Sequence, residues 1–270
     1  MTAYYNEVDP FAVQWLRNLI DANLIAPGVV DDRSITDVNA SDLNGFTQCH
    51  FFAGIGGWSL ALRLAGVPDT YPLWTGSPPC QPFSLAGLGV GKADPRHLAP
   101  TFLNLICECK PARVFGEQVK NAIQKDYWLD ALLIELSEEG YTSGFAVLPA
   151  AGVGAKHKRE RIVFGATLGN SHGSVISGQG QHKQIILSEG RKNAKRHALS
   201  SDVATHFWAE WEPNTGADGI VRSLPRGYGQ AAYGLSRRVG RLRGYGNAIV
   251  PQLVAEFVSH FLLATGEAVA

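Results

Sequence analysis

The stretch TGSPPCQPFS, residues 75–84, places a cysteine directly after two prolines. Proline fixes its own φ angle and lacks a backbone N–H, so Pro78 and Pro79 end the preceding apolar run and set the direction in which Cys80 is presented. The other cysteines have no CxxC spacing of the kind that binds zinc or does redox work, and small buried hydrophobic residues are the simplest expectation for them. They are Cys49, Cys107 and Cys109. Cys80 is therefore the cysteine whose neighbours predict a chemical role.

A second candidate site combines the motif FAGIGG, residues 52–57, with Glu7. Glycines at the point where a strand gives way to a helix allow a backbone to approach a nucleotide closely. Glu7 follows the stretch AYYN, and a carboxylate at a strand end can accept hydrogen bonds from ribose hydroxyls. Taken alone, the glycines also fit a plain tight turn, and Glu7 could be unrelated to any cofactor. These features gain weight only in combination with other motifs.

The charges of the chain are segregated, although the formal net charge is zero. Residues 156–243 hold 15 Lys and Arg against 6 Asp and Glu, whereas the remainder holds 9 basic against 18 acidic residues. A basic segment beside an acidic body predicts one face that binds a polyanion. A solvated helix face is the alternative, but the basic excess is spread over many residues in loop-like sequence.

Alternating helical and strand patterns predict an α/β layered fold with a largely parallel sheet. Strands are expected at CHFF, PLWTG, ARVFGEQV, FAVLPA and RIVFGAT, and helices after Pro10 and over residues 59–65, 102–109, 127–139 and 251–264. Residues 168–201 lose this periodicity and are rich in Gly, Ser, Asn, Gln, His and Lys. That segment is either a flexible insertion or a small, loop-rich recognition domain.

Five motifs in order, FFAGIGGWSLAL, GSPPCQPFSLAG, FGEQV, AKHKRERIVFGA and RGYGNAIVPQL, resemble the motif set of the DNA cytosine-C5 methyltransferases. The resemblance implies a Rossmann-like methyltransferase fold. It also implies transfer of a methyl group from S-adenosylmethionine, which leaves S-adenosylhomocysteine, to carbon 5 of cytosine in double-stranded DNA at a short specific sequence. Residues 1–166 would form the catalytic and cofactor-binding domain, residues 167–228 a small target-recognition region, and residues 229–270 a segment that returns to the catalytic domain.

The resemblance assigns catalytic roles to four residues. Cytosine carbon 5 is too weak a nucleophile to take a methyl group, so the thiolate of Cys80 would first add at carbon 6. Glu117 in FGEQV would share a proton with ring nitrogen 3. Arg161 would hold the cytosine O2, and Arg159, two residues earlier on the same predicted strand, would support the catalytic loop or the nucleophile. The usual family motif is Glu-Asn-Val, and Gln118 here keeps the amide on a longer side chain.

The resemblance also assigns a donor site. Phe52 would pack on the adenine, Glu7 would bind the ribose, and Asp31 would bind the adenine amino group. The remaining members of the expected set are Gly54, Ile55, Gly57, Pro79 and Asn247. His50 stands where family members usually have an acidic residue. The order of the segments is transposed with respect to the usual family order, because Glu7 and Asp31 precede the glycine motif. Both orders could build the same spatial site if the glycine-motif strand lies between the Glu strand and the Cys strand.

A base stacked in a duplex hides both faces of its ring, so Cys80 could reach carbon 6 only if the target nucleotide flips out. The glycine-rich stretch 84–96 would then be a lid that closes over the flipped base. Phosphate contacts and base reading would fall to the recognition region. The expected nucleic-acid contacts are Ser84, Arg96, Arg222, Arg226 and Gln230.

Three alternatives stay open at the level of sequence. An RNA cytosine methyltransferase would share the fold and chemistry, a catalytically silent DNA-binding relative would keep the fold alone, and a glycine-loop oxidoreductase would leave the Pro-Pro-Cys stretch unexplained. The composition offers no membrane-spanning apolar run and no signal peptide. We expect a cytoplasmic, metal-free monomer associated with the nucleoid of a bacterial host, in a bacterial, phage or restriction-modification setting.

Overall fold

The computed structural model describes residues 3–79, 98–120, 128–155, 159–169 and 248–266, together with the backbone of three short strands at 185–186, 211–215 and 221–225. Within these residues the chain forms an eight-stranded sheet and a separate two-stranded one. The strands of the large sheet are β1 (Ala3–Asn6), β2 (Gly28–Asp31), β3 (Gln48–Phe51), β4 (Leu73–Gly76), β5 (Arg113–Val119), β6 (Tyr141–Pro149), β7 (Glu160–Leu168) and β8 (Ile185–Ile186). The two-stranded sheet pairs β9 (Trp211–Thr215) with β10 (Val221–Pro225).

The large sheet runs in the order β2-β1-β3-β4-β5-β7-β6-β8. The first five strands in that order are parallel, and β7 is antiparallel to both β5 and β6. The glycine-motif strand β3 lies between β1, which precedes Glu7, and β4, which precedes Cys80. The expectation about the spatial position of β3 is therefore confirmed.

Helices cover both faces of the sheet. They are α1 (Pro10–Asp21), α2 (Gly57–Leu64), α3 (Ala99–Cys109), α4 (Trp128–Glu138) and α5 (Pro251–Ala264). On one face, Phe51, Trp74 and Val114 pack with apolar side chains of α3 and α4. On the other face, two clusters join α2 to α5 and bring α1 against the first strands. Side chains alternate between these cores because successive strand residues point to opposite sides.

The α/β class and the largely parallel sheet are confirmed. The helix expected at 251–264 has those bounds, whereas α2 and α3 begin two and three residues earlier than expected. The strand β2 was not foreseen, because its sequence GVVD is short and only half-buried. Cys49 is buried as expected, while Cys107 and Cys109 are half-buried near the end of α3. In the described part of the chain, no helix has both the length and the apolar character needed to cross a membrane.

Candidate active site

Three neighbouring strands end at the same level of the sheet. Asn6, Phe51 and Gly76 are register partners across β1, β3 and β4. The residues that follow them, Glu7, Phe52 and Ser77, therefore leave the sheet side by side. Ligands of open α/β sheets bind at this carboxyl edge of parallel strands.

The glycine turn after β3 is held by the carboxylate of Glu7. Glu7 Oε2 accepts a hydrogen bond from Gly54 N at 2.7 Å, and Glu7 Oε1 accepts one from Asp9 N at 2.9 Å. Gly54 has a φ of 56° and no heavy atom within 4 Å of the place where a Cβ would stand. Phe52 also adopts a positive φ, 53°, which costs a non-glycine residue about 1–3 kcal/mol. Glu7 therefore stabilises a strained turn that leaves open space above its backbone.

A cavity of about 310 Å³ lies above these strand ends. Most of its walls are apolar, with carboxylate, hydroxyl and guanidinium groups among them, as is usual for sites that bind small molecules. Eight of the expected site residues line it. They are Glu7, Phe52, Gly54, Ile55, Gly57, Pro79, Glu117 and Arg161.

Glu117 on β5 is the most deeply buried acidic group in the cavity wall. Antiparallel pairing sets Glu117 opposite Val163 on β7, so Arg161, two residues away, is its diagonal neighbour. Arg161 Nε lies 2.8 Å from Glu117 Oε1, but this oxygen has no hydrogen bond of good geometry. Burial raises the pKa of Glu117 to about 7, although Arg161 and Arg159 both act to lower it. The carboxyl can therefore hold or release a proton near neutrality.

Arg159 corrects one expectation. It does not lie on the same strand as Arg161, because β7 begins at Glu160 and Arg159 has a φ of 30°. Its guanidinium still acts electrostatically on Glu117. Arg159 Nη2 also donates to Ala248 O at 2.6 Å, which ties the start of β7 to the segment that leads into α5.

The structure does not bring Asp31 to the cavity. Its carboxylate accepts hydrogen bonds from the Arg33 guanidinium and from Tyr4 Oη, and these three residues line a separate depression. The hydrogen bond from Arg33 is the main reason why the pKa of Asp31 is lowered to about 2, and the hydrogen bond from Tyr4 adds to this effect. Asp31 was therefore the wrong residue for this wall. Ser34 and Ile35 line the cavity instead, at the start of a short 3₁₀ helix (Ile35–Asp37).

His50 does not line the cavity either. Its ring is buried, lies 2.8 Å from Thr75 Oγ1 and 3.3 Å from Gln48 Oε1, and stacks on Tyr5. Burial lowers the pKa of His50 to about 3, so the imidazole is neutral in the folded protein at neutral pH. This histidine belongs to the sheet core, and the departure from the family residue at this position does not put a cation into the site.

Several predicted site residues lie outside the described residues. They are Cys80, Ser84, Arg96, Arg226, Gln230 and Asn247. The stretch 84–96, expected to be a lid, lies outside them as well, and so does most of the expected recognition region. Arg222 falls on β10, which pairs antiparallel with β9. A role for these residues stays a prediction.

Sequence reasoning missed part of the cavity wall. The additional residues include Val8, Phe11, Ser34, Ile35, Trp58 and Ser77. Val8 and Phe11 flank the turn into α1, a position that a motif reading centred on Glu7 could have flagged. Trp58 and Ser77 lie inside the motifs FFAGIGGWSLAL and GSPPCQPFSLAG, although neither was assigned a role. No sequence signal marks Ser34 and Ile35, because their place in the wall depends on how separate elements pack.

Among the described residues, no group of three or more His, Cys, Asp or Glu side chains is arranged to hold a metal ion. The groups that line the cavity are instead apolar and aromatic side chains, the glycine turn, the carboxyl residues Glu7, Asp9 and Glu117, and the guanidinium residue Arg161.

A family model for C-5 cytosine-specific DNA methylases matches residues 67–208, just over half of the chain. Together with the sheet order, the reversed β7 and the cavity at the strand ends, this match defines a Rossmann-like, S-adenosylmethionine-dependent methyltransferase fold. The chain belongs to the C-5 cytosine-specific DNA methylase family. The matched stretch begins after the FFAGIGG motif.

Curated relatives agree with this family. The Type II methyltransferase M.HindV of Haemophilus influenzae is 28% identical over 165 residues, covering 57% of this chain and 53% of the relative. M.HaeII of Haemophilus aegyptius is 29% identical over 176 residues, covering 59% and 54%. The chain spans about half the length of these relatives. Among solved structures, the S. pombe Dnmt2 methyltransferase aligns over 98% of this chain and 99% of its own, with 15% identity and a TM-score of 0.48.

Proposed function

We propose that this protein methylates carbon 5 of cytosine in double-stranded DNA, at a short specific sequence, as a Type II methyltransferase. One observation carries the proposal. A single cavity is lined at one end by the Glu7-held glycine turn and at the other by Glu117, Arg161 and Pro79, the residue before Cys80. A nucleotide-like donor and a base could therefore meet beside one thiol.

The residues around the glycine turn suit S-adenosylmethionine. The aromatic ring of Phe52 and the side chain of Ile35 offer apolar surface for an adenine, and the carboxylate of Glu7 is a hydrogen-bond acceptor for ribose hydroxyls. The open space above Gly54 leaves room for a ligand close to the backbone. When bound, the donor supplies an electrophilic methyl group on a sulfonium. Asn247, before α5, would close the donor site.

Cys80, Glu117 and Arg161 would perform the base chemistry. The Cys80 thiolate forms a bond to carbon 6, and ring nitrogen 3 takes a proton from Glu117, whose raised pKa favours the protonated acid near neutrality. Arg161 holds O2, and Arg159, which also acts electrostatically on Glu117, supports the catalytic loop or the nucleophile. Once carbon 5 carries the methyl group, the proton on carbon 5 is lost to solvent and the thiolate is eliminated from carbon 6. Nitrogen 3 returns its proton to the Glu117 carboxylate, which restores the neutral ring and frees both Cys80 and the acid.

Access to carbon 6 would require the target cytosine to flip out of the duplex, with residues 84–96 closing over it. We assign the cofactor-binding and catalytic role to residues 1–166 and 229–270. Target recognition falls to residues 167–228, with Arg222, Arg226 and Gln230 as reading residues and Ser84 and Arg96 on the lid side. The transposed order of the donor-binding segments belongs to this proposal. A cytoplasmic location and action as a monomer stay predictions.

The test is nucleoside mass spectrometry on plasmid DNA from cells that express the wild type, Cys80→Ser or Cys109→Ser. Cys109→Ser is the matched control, because it makes the same chemical change at a half-buried cysteine at the end of α3. We expect 5-methylcytosine with the wild type and the control and none with Cys80→Ser. If 5-methylcytosine is absent from the plasmid of wild-type cells and methylated cytosine is present in their transfer RNA, the activity would be assigned to RNA.

A further inference from the structure

The segment of three residues between the end of β4 and Cys80 accepts hydrogen bonds from two different elements, α2 and β5. Trp58, on α2, donates its indole N–H to Ser77 Oγ at 2.8 Å. Gln118, on β5, donates from Nε2 to the carbonyl oxygen of Pro78 at 3.3 Å. Both donors are almost fully buried, at 2% exposure each.

This segment has few other ways to be held. Pro78 and Pro79 have no backbone N–H, so neither residue can donate a main-chain hydrogen bond. The Ser77 hydroxyl and the Pro78 carbonyl are the acceptors through which α2 and β5 hydrogen-bond to this segment. Gly76, the residue before this segment, is closely packed against the Phe102 ring, which lies 2.4 Å from where a Cβ on Gly76 would stand.

The two hydrogen-bond donors belong to elements that line the cavity. Trp58 directly follows Gly57 at the start of α2, beyond the glycine turn. Gln118 directly follows Glu117, and its own Oε1 accepts a hydrogen bond from Val119 N at 2.9 Å, which fixes the direction of its amide. The glycine-turn side of the cavity, through Trp58, and the Glu117 side, through Gln118, therefore both hydrogen-bond to the residues that precede Cys80.

We propose that Trp58 and Gln118 are positioning residues for the Cys80 nucleophile. Their two hydrogen bonds fix the path of residues 77–79, and with the constrained φ angles of the prolines they set the direction in which the chain reaches Cys80. This inference rests on the proposed function, since it matters only if Cys80 attacks a substrate. A misplaced nucleophile costs rate rather than affinity.

The variants remove one hydrogen bond at a time. Trp58→Phe keeps an aromatic ring and loses the N–H, and Ser77→Ala removes the same bond from its other end. Gln118→Met keeps the length of the side chain and loses the amide. Two controls match these changes away from the Cys80 segment. Trp128→Phe alters a buried tryptophan of α4, and Gln48→Met alters a buried glutamine whose Nε2 donates to Pro68 O at 3.0 Å.

Methyl transfer from labelled donor to plasmid is measured at saturating substrate, with donor Kd from calorimetry and urea unfolding for each variant. We expect Trp58→Phe, Ser77→Ala and Gln118→Met to lower kcat about tenfold or more, with donor Kd and the KM for DNA changed less than about twofold. The Trp58→Phe, Ser77→Ala double variant should be no slower than either single one, because both remove the same bond. The controls should keep wild-type kcat, even where they lose stability.

Two results would overturn the inference. One is a wild-type kcat in Trp58→Phe and Gln118→Met, and the other is an equal loss in the matched controls. If the wild type itself transfers no methyl group, the proposed function fails, and Cys80 alkylation by iodoacetamide, followed by peptide mass spectrometry, judges the positioning role separately. A rate that differs from the wild type in Trp58→Phe and Gln118→Met, and not in the controls, supports it. An unchanged alkylation rate in these variants refutes the positioning role.

Discussion

Replacing Glu117 by glutamine tests the assignment of this residue as a proton donor. The substitution keeps the shape of the side chain and removes its titration. In the folded protein the pKa of Glu117 is about 7, against an ordinary value of 4.5, so folding favours the protonated form. This contribution to stability is fully present below pH 4.5 and is lost as the pH rises through 7.

The size of the effect follows from the two pKa values. Each pH unit between them changes the free energy of unfolding by about 1.4 kcal/mol, so the wild type should lose about 3 kcal/mol relative to Glu117→Gln over the window. Above pH 7 the difference should level off. Urea unfolding of both proteins, followed by tryptophan fluorescence from about pH 5 to about pH 8.5, measures it directly.

Trp128→Phe serves as the control in this experiment. It exchanges one neutral core side chain for another, so its difference from the wild type should not follow the titration of Glu117. A flat difference between the wild type and Glu117→Gln over the same range would show that the carboxyl is already ionised in the folded protein. That result would refute a proton-donating role near neutrality, whereas the expected curve should accompany a loss of about 10²–10⁴ in kcat.

Three further outcomes are expected. Gly76→Ala should lower the free energy of unfolding by about 1–3 kcal/mol in urea titrations, because the new methyl group would stand 2.4 Å from the Phe102 ring; wild-type stability would contradict this reading of the β4 end. Glu7→Gln should weaken donor binding about tenfold by calorimetry, whereas Asp31→Asn should leave it within about twofold, and equal losses would refute the separation of the two carboxylates. The pKa of His50 is about 3 when folded, so the wild type should lose about 1.4 kcal/mol per pH unit below 6.5 relative to His50→Asn, and a constant difference would argue against a neutral buried ring.

Features that depend on neighbouring residues in the chain were predictable from the sequence. A strand, a glycine turn and a helix follow one another around Phe52, and their local pattern of apolar residues and glycines is sufficient to indicate them. The same applies to α5, which begins at Pro251, since proline at the first turn is a local signal. Pro79 and Glu117 were assigned to the site from the resemblance of their motifs to those of the family, and both line the cavity.

Features that depend on strand register were not predictable in the same way. Arg161 meets Glu117 only because β7 is reversed against β5 with one particular pairing, which no single motif specifies. Asp31 was misassigned because it is the last residue of an edge strand that was not recognised, and its sequence gives no sign of the face to which its side chain points. His50 illustrates a further limit, since a buried polar residue of the core and a polar residue of a site look alike in a sequence.

The level at which β1, β3 and β4 end has a consequence for how such proteins are found. Strands in a sheet lie about 4.8 Å apart, so the residues that leave these three ends converge within about 10 Å, whatever the order in which the chain visits them. A search that requires motifs in one fixed linear order scores that order, whereas catalysis depends only on the spatial arrangement. A comparison of unordered sets of strand-end residues, each tested for adjacency in the sheet, would therefore find such a site in any order of its segments.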